Sequence, residues 1–363
     1  MKEVLHCITT ICSGGAENQL LMLSKAQVKS GRKVTVLFLK GIPELKDKFI
    51  AQGVEVLDIL SKKNIIQQIF ILRKFIRARD LIVHAHLPRA ELISALSIHD
   101  QKLIISKHNI EPFFPKAPKF LSKLMSRFVS YKSTTCVAIS HSVAKYLQYN
   151  GELIDARLLE VVYYGYQPRH IASGEDKSFQ LQRQFNYKSK LIVGTVARLV
   201  QQKDLPTLLR AFAVINKIFV NAELHIIGEG KLEYKLKKLA NNMNISEKIY
   251  WRGRATEAFT HFKEFDIFVL TSRYEGFGLV LLEAMDANIP IIAAKNSAII
   301  EVLGDKYDNL FDTGDSDDLV VKFSNLVNYD ERIKSIIHGR QRLKLFSVEL
   351  MLLKMDKIYN LNS

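Results

Sequence analysis

The strongest constraint on how this 363-residue chain folds is its alternation of short β-branched apolar runs with longer amphipathic segments. Strand-length runs separated by helix-length segments favour parallel sheets with helices packed on their faces. In the first half, Val4–Thr10, Lys33–Phe38, Leu81–His86, Leu103–Ser106 and Cys136–Ser140 are expected strands. Helices are expected between several of them, at Ala16–Lys29, ended by Gly31, and at Ile65–Arg79. From Pro168 to Lys190 the chain turns polar. A second series follows at Leu191–Ala197, Ala222–Ile227, Ile249–Arg252, Ile267–Thr271 and Ile289–Ala293, with helices at Leu205–Phe219, Lys231–Asn241 and Leu279–Ala287. The expected architecture is α/β: a doubly wound domain over 1–168, a linker over 169–190 and a second doubly wound domain over 191–345. A helix over about 346–363 is expected to pack back onto the first domain. In such sheets ligands sit at the carboxyl ends of strands, at switch points, and here also in the cleft between domains.

Charge divides the chain in two. Residues 1–150 hold 23 Lys/Arg against 10 Asp/Glu, whereas the rest holds 29 against 27. This asymmetry suggests an anionic surface or polymer as the partner of the first half. Zinc-finger, RNP-like aromatic and helix-turn-helix signatures are missing from the sequence, so nucleic acid is not the expected partner. The stretch Lys116–Val129 has helical spacing, with Phe120, Leu121, Leu124 and Phe128 on one face and Lys116, Lys119, Lys123 and Arg127 on another. Ile65–Arg79, with Arg73, Lys74, Arg77 and Arg79, is similar. Basic amphipathic helices suit an anionic membrane surface, although an ordinary packed helix with a solvated basic face has the same pattern. The longest apolar runs are strand-length, the N-terminus lacks a secretory signal, and Cys7, Cys12 and Cys136 lack zinc spacing. The expectation is a cytoplasmic protein with reduced thiols, peripheral on the inner face of the plasma membrane.

The chemistry concentrates in one strand-to-helix loop. Strand Ile267–Thr271 runs into Ser272-Arg273-Tyr274-Glu275-Gly276-Phe277-Gly278-Leu279, and the following helix carries Glu283-Ala284-Met285. Two glycines let a backbone approach a ligand, and the opening turn of the helix presents N–H groups that favour an anion. Carboxylates at Glu275 and Glu283 suit vicinal hydroxyls, because each accepts two hydrogen bonds at once. A second loop, Arg198-Leu199-Val200-Gln201-Gln202-Lys203-Asp204, places two cations near a helix N-terminus, as a diphosphate requires. After the first strand, Ser13-Gly14-Gly15-Ala16-Glu17 opens a helix without the G-x-G-x-x-G of an ordinary NAD domain.

The segment from Glu275 through Glu283-Ala284-Met285, with Pro290 following, resembles the E-x7-E signature of family 4 retaining glycosyltransferases, and the resemblance extends in order over nearly the whole chain. It implies the GT-B fold, two Rossmann-like domains facing a central cleft. By resemblance, Glu275 binds donor-sugar hydroxyls, Glu283 binds the nucleotide ribose, and the backbone of Gly276, Phe277, Gly278 and Leu279 lies along sugar and phosphates. Arg198 and Lys203 correspond to the family's diphosphate clamp. Ala197 and Asp204 stand where glycines are usual, and Asp204 is expected to blunt the positive field. Gly14 and Gly15 become donor contacts, Gly253 and Arg254 lie beside the nucleobase, and His108 becomes a hydrogen-bonding residue of the catalytic site. Tyr164-Gly165 replaces the family's Asn-Gly, and Asn296-Ser297-Ala298 replaces its Gly-Gly ahead of Glu301.

The implied activity is metal-independent, retaining transfer from a UDP-sugar or GDP-sugar to a saccharide or lipid-linked saccharide in cell-surface polysaccharide biosynthesis. No cofactor is implied. The alternative is a catalytically inactive relative acting as a partner subunit. His84 and His86 point to one face of their strand and, with His108 and His141, raise the question of a metal. No Asp or Cys completes a ligand set, so they are read as polar residues at the cleft end of strands. Asp315, Asp317 and Asp318 form a D-x-D string, read as a helix N-cap.

Overall fold

The computed structural model describes residues 1–153, 155–169, 190–255 and 258–360. It divides into two units, Met1–Gln167 with Phe346–Ser363, and Pro168–Leu345. Most of the segment expected as a linker, 170–189, lies outside the described residues.

In the first unit the apolar runs become β1 (Glu3–Ile8), β2 (Val34–Phe38), β3 (Glu55–Leu57), β4 (Leu81–His86), β5 (Leu103–Lys107), β6 (Thr135–Ala138) and β7 (Leu159–Val161). All pair in parallel, in the order β3-β2-β1-β4-β5-β6-β7. Central strands are buried along almost their whole length, as a sheet with helices on its faces demands. The helix Val348–Asn360 belongs to this unit. Its Met351, Met355, Ile358 and Tyr359 pack on Val4, Leu23, Ile82, Ile104, Val137 and Val162. Burying each such side chain contributes about 1.5–3 kcal/mol. Polar contacts hold the helix in place: Arg32 Nη2 meets Asp356 Oδ1 at 3.0 Å, and Lys102 Nζ donates to the Ile358 carbonyl at 2.6 Å near the helix C-terminus.

The second unit repeats the plan with β8 (Leu191–Val196), β9 (Ala222–Ile227), β10 (Ile249–Trp251), β11 (Ile267–Leu270), β12 (Ile291–Ala294) and β13 (Leu310–Phe311). The order is β10-β9-β8-β11-β12-β13, again all parallel. β12 begins two residues later than its apolar run, because Pro290 has no N–H to pair and contributes only its carbonyl, to Phe268 N. β3, β7 and β13 were not expected as strands; at two or three residues they are too short to show a periodicity. The cysteines form no disulfide, and burial pushes the thiols of Cys7 and Cys136 up to about 12. Among the described residues no helix is long and apolar enough to cross a membrane.

Candidate functional site

In the second sheet the strand order reverses between β8 and β11, and the loops that leave these strands carry the charged motifs. The loop after β8 is tied to the turn after β9. Ala197 N donates to Ile227 O and Leu199 N to Glu229 O, both at 2.9 Å. This closeness requires Gly228 and Gly230, since a Cβ on Gly228 would lie 2.0 Å from Ala197 O and one on Gly230 2.5 Å from Leu199 O. Sequence reasoning missed both glycines, although Gly228-Glu229-Gly230 directly after a strand was a readable signal. A single 3-10 turn, Gln201–Lys203, then leads to Asp204, which adopts a left-handed conformation (φ +44°) at the head of the helix Leu205–Ile218. Its buried carboxylate accepts from Thr207 Oγ1 at 3.0 Å and faces Arg273 Nε at 3.2 Å. The negative charge expected to weaken the cation pair is therefore answered by Arg273.

The two loops meet. Lys203 Nζ donates to Glu275 Oε1, and both side chains are largely buried. Around this pair Arg273 N donates to Gln202 O at 2.8 Å, Gln202 Nε2 to Tyr274 O at 2.9 Å and Thr271 Oγ1 to Lys203 O at 2.8 Å. Phe277 turns its ring into the core, which leaves only its backbone for a ligand. Gly278, at φ +92°, precedes the helix Leu279–Asp286 and permits the sharp entry into it, and its carbonyl accepts from Leu281 N at 2.9 Å. Glu283 is partly buried on this helix. Desolvation raises its pKa, Arg169 lowers it, and Asp286 adds to the rise. Arg169 was not singled out in the sequence. Its backbone N–H donates to Asp286 Oδ2 at 2.8 Å, and its guanidinium lies 4.9 Å from the Phe259 ring centroid.

Arg198 is exposed, with one long contact of 3.4 Å to Gln202 Oε1. Gly253 is exposed at φ +65°, and its carbonyl accepts from Gly228 N at 2.7 Å; Arg254 follows, also exposed. The expected positions of this unit therefore follow β8, β10 and β11, and Gly228 adds the end of β9 between them.

In the first unit the reversal falls between β1 and β4. Gly14 precedes the helix Gly15–Lys29, whose own Glu17 folds back over the turn. A Cβ on Gly14 would lie 2.3 Å from Glu17 Oε2, and Glu17 Oε1 accepts from Thr10 Oγ1 at 2.7 Å. A carboxylate thus already faces this helix N-terminus, and Gly15 is exposed beside it. His108 follows β5. Its Nε2 faces His86 Nδ1 at 3.3 Å and its Nδ1 faces Tyr164 Oη at 2.6 Å. Desolvation, then the nearby Lys107, lowers its pKa to about 3, so the ring is neutral.

The histidine grouping differs from the expected one. His6 joins His84 and His86, with one ring nitrogen of each within 4.8 Å of the others, whereas His141 lies against Tyr163. The nitrogens of these three rings already engage one another, His108, Gln27, Tyr359 or Ser106, so an ion would have to displace existing hydrogen bonds. Asp315 Oδ1 accepts from Asp317 N at 2.9 Å and Asp318 N at 3.0 Å, which makes it an N-cap.

Residues 13–169 match the family model described as Glycosyltransferase Family 4, and residues 176–341 match that of Glycosyl transferases group 1. An uncharacterized glycosyltransferase of Methanocaldococcus jannaschii is 31% identical over 115 residues, which is 31% of this chain and 28% of the relative. The capsular polysaccharide biosynthesis glycosyltransferase CapM of Staphylococcus aureus is 23% identical over 319 residues, covering 82% of this chain and 80% of the relative. The chain spans between 28% and 52% of the length of the first three curated relatives that it matches. Anabaena HepE, whose crystal structure is a complex with UDP-glucose, superposes with a TM-score of 0.80 at 18% identity over 99% of both chains.

Proposed function

The chain belongs to the family 4, group 1 glycosyltransferases, with the GT-B fold, and from this premise we propose that it transfers a sugar from a nucleoside diphosphate to a hydroxyl with retention at the anomeric carbon. The observation that carries the reading is the ion pair between Lys203 and Glu275, which joins the cationic loop to the acidic one. An incoming diphosphate competes for Lys203. The Glu275 carboxylate is then released toward the donor's sugar hydroxyls, so donor binding exchanges one ion pair for another plus hydrogen bonds from the hydroxyls to the carboxylate. Arg198, exposed beside Lys203, supplies the second cation, and Glu283 faces the ribose. Gly253 and Arg254 are assigned to the base, and Gly14, Gly15 and His108 to the first unit's share of the reaction.

In this mechanism the anomeric C–O bond to phosphate breaks as the acceptor hydroxyl bonds to the same face of that carbon, and its proton passes to the departing phosphate oxygen. Negative charge grows on that phosphate, so fixed cations lower the barrier more than they tighten ground-state binding. The HepE complex with UDP-glucose supports a UDP-sugar as donor, with a GDP-sugar as the alternative. The similarity to CapM, a glycosyltransferase of capsular polysaccharide biosynthesis, supports a saccharide as acceptor, and the proposal extends to a lipid-linked one. Thermal melts with UDP, GDP and their sugars test the reading. UDP is expected to raise the melting temperature, and Glu275→Ala to lower transfer by about a hundredfold or more. A protein that no nucleotide stabilises, and whose activity survives Glu275→Ala, would end it.

The proposal includes peripheral attachment, on the cytoplasmic side, to an anionic membrane. On the helix Lys119–Lys132 the buried positions are Ser122, Ser126, Val129 and Ser130, while Phe120 is 78% and Leu124 53% exposed, flanked by exposed Lys116, Lys119, Lys123 and Arg127. Three of the four buried positions are serines, whereas Phe120, Leu121 and Leu124 face outward, unlike the first turns of an ordinary packed helix. Sedimentation with anionic vesicles should fall as salt rises, and Phe120→Ser with Leu124→Ser should weaken it without lowering the melting temperature. Binding indifferent to lipid charge would remove this part.

A further inference from the structure

The polar side chains at the strand-order reversal of the first sheet form one unbroken hydrogen-bonded chain. His6 and His84 are register partners on β1 and β4, and His86 is two residues further on, so the three rings share one face of the sheet. Gln27 of the helix Gly15–Lys29 and Tyr359 of the C-terminal helix reach the same rings. The main chain of contacts runs from Tyr164 Oη to His108 Nδ1 (2.6 Å), His108 Nε2 to His86 Nδ1 (3.3 Å), His86 Nε2 to His6 Nδ1 (3.0 Å) and His6 Nε2 to Gln27 Oε1 (2.9 Å). A branch continues from Gln27 Nε2 to Tyr359 Oη (3.1 Å), Tyr359 Oη to His84 Nδ1 (2.8 Å) and His84 Nε2 to Ser106 Oγ (2.7 Å).

A neutral imidazole has one donor and one acceptor nitrogen. Gln27 Oε1 only accepts, so His6 Nε2 carries the hydrogen and His6 Nδ1 must accept. His86 Nε2 therefore donates to it, His86 Nδ1 accepts, and His108 Nε2 donates in turn. His108 Nδ1 is left as an acceptor for the Tyr164 hydroxyl. By the same rule Tyr359 takes the Gln27 N–H, donates to His84 Nδ1, and leaves His84 Nε2 as donor to Ser106. Any other assignment with this amide orientation places two donors or two acceptors face to face in a buried setting, at a cost of about 1–3 kcal/mol for each unsatisfied group. Burial keeps the four rings neutral, which the rule requires.

We propose that Gln27 is a positioning residue for His108. Through His6 and His86 its amide fixes Nδ1 of His108 as a hydrogen-bond acceptor, so a substrate hydroxyl that displaces the Tyr164 hydroxyl is accepted there, and a group that only accepts, such as a phosphate oxygen, is rejected. The proposal rests on the reading of His108 as a residue of the transfer site. Its consequence for specificity is that His108 selects an O–H from the saccharide side of the reaction.

Imidazole 15N–1H correlation spectra of the full-length protein, labelled at histidine, test this without any substrate. His6, His84, His86 and His108 should all be neutral with the hydrogen on Nε2. In Gln27→Leu the end acceptor is gone, so His108 should become a mixture of tautomers, and the transfer kcat should fall at least about tenfold with the donor KM unchanged. Gln27→Glu keeps the acceptor but loses the donor to Tyr359, so it should preserve the His108 tautomer and alter that of His84. This second variant decides the matter if Gln27→Leu does not fold. A wild-type spectrum with mixed or opposite tautomers, a folded Gln27→Leu with His108 unchanged, or a Gln27→Glu that moves His108 and spares His84 overturns the proposal. Coupled tautomers in a protein that consumes no nucleotide sugar would instead remove the glycosyltransfer reading and leave the relay standing.

Discussion

Single residues that depart from the family's pattern hold specific contacts. Asp204 stands at φ +44°, where glycine would be unstrained, and its carboxylate is engaged by Thr207 and Arg273. Removing the side chain loses those contacts in any variant, but alanine also keeps the left-handed penalty that glycine avoids. Asp204→Ala should therefore be less stable than Asp204→Gly by about 1 kcal/mol in urea unfolding, and equal midpoints would contradict the strain argument. Asn296 caps the helix Ser297–Leu303 and donates through Nδ2 to Ser272 O at 2.8 Å, which fastens that helix to the acidic loop. Tyr164, in place of the usual asparagine, meets His108. The motif residues Glu275, Lys203 and Arg198 were legible because charge and glycine are local signals. Arg169, Gln27 and His6 were not, because their partners are distant in sequence and no spacing announces them.

Elements meet through backbone, and here glycines decide how closely. Gly228, at φ +137° with Ala197 O where a Cβ would stand, and Gly253, at φ +65° with open space around it, form a natural pair of controls. Gly228→Ala should cost more than about 2 kcal/mol and weaken UDP binding, because the Arg198 loop must move. Gly253→Ala should cost only about 1 kcal/mol, the left-handed strain alone. Chemical denaturation and calorimetric titration of both variants measure the contrast; similar losses would show that the approach of the two loops is not tight. Strand runs were readable from their β-branched composition, but several ends shifted by one or two residues, at β12 because of Pro290 and at β6 because Ser140 caps the next helix. The outward-facing apolar side of Lys119–Lys132 was beyond periodicity, which finds a two-faced helix without telling which face is covered.

At the scale of the molecule the buried histidines tie stability to pH. Desolvation lowers His6 from 6.5 to about 4 and His84 and His86 well below 6.5. Below pH 6.5 the unfolded chain binds protons that the folded one refuses. The stabilisation is therefore full above 6.5 and shrinks as pH falls toward 4, by about 3 kcal/mol for His6 alone. The urea midpoint should drop between pH 7 and pH 5, and His6→Gln should flatten that drop; an equal slope in both proteins would assign the acid sensitivity elsewhere. The sequence by itself determined the α/β class, the two series of parallel strands and the cationic and acidic loops, since hydrophobic period, glycine and charge act within a few residues. Only the tertiary structure decided that Lys203 meets Glu275, that Arg273 answers Asp204, and that four histidines, from two strands and the loop after a third, share one hydrogen-bonded chain. Those pairings depend on strand order and register, which join residues up to 80 positions apart and leave no mark in local composition.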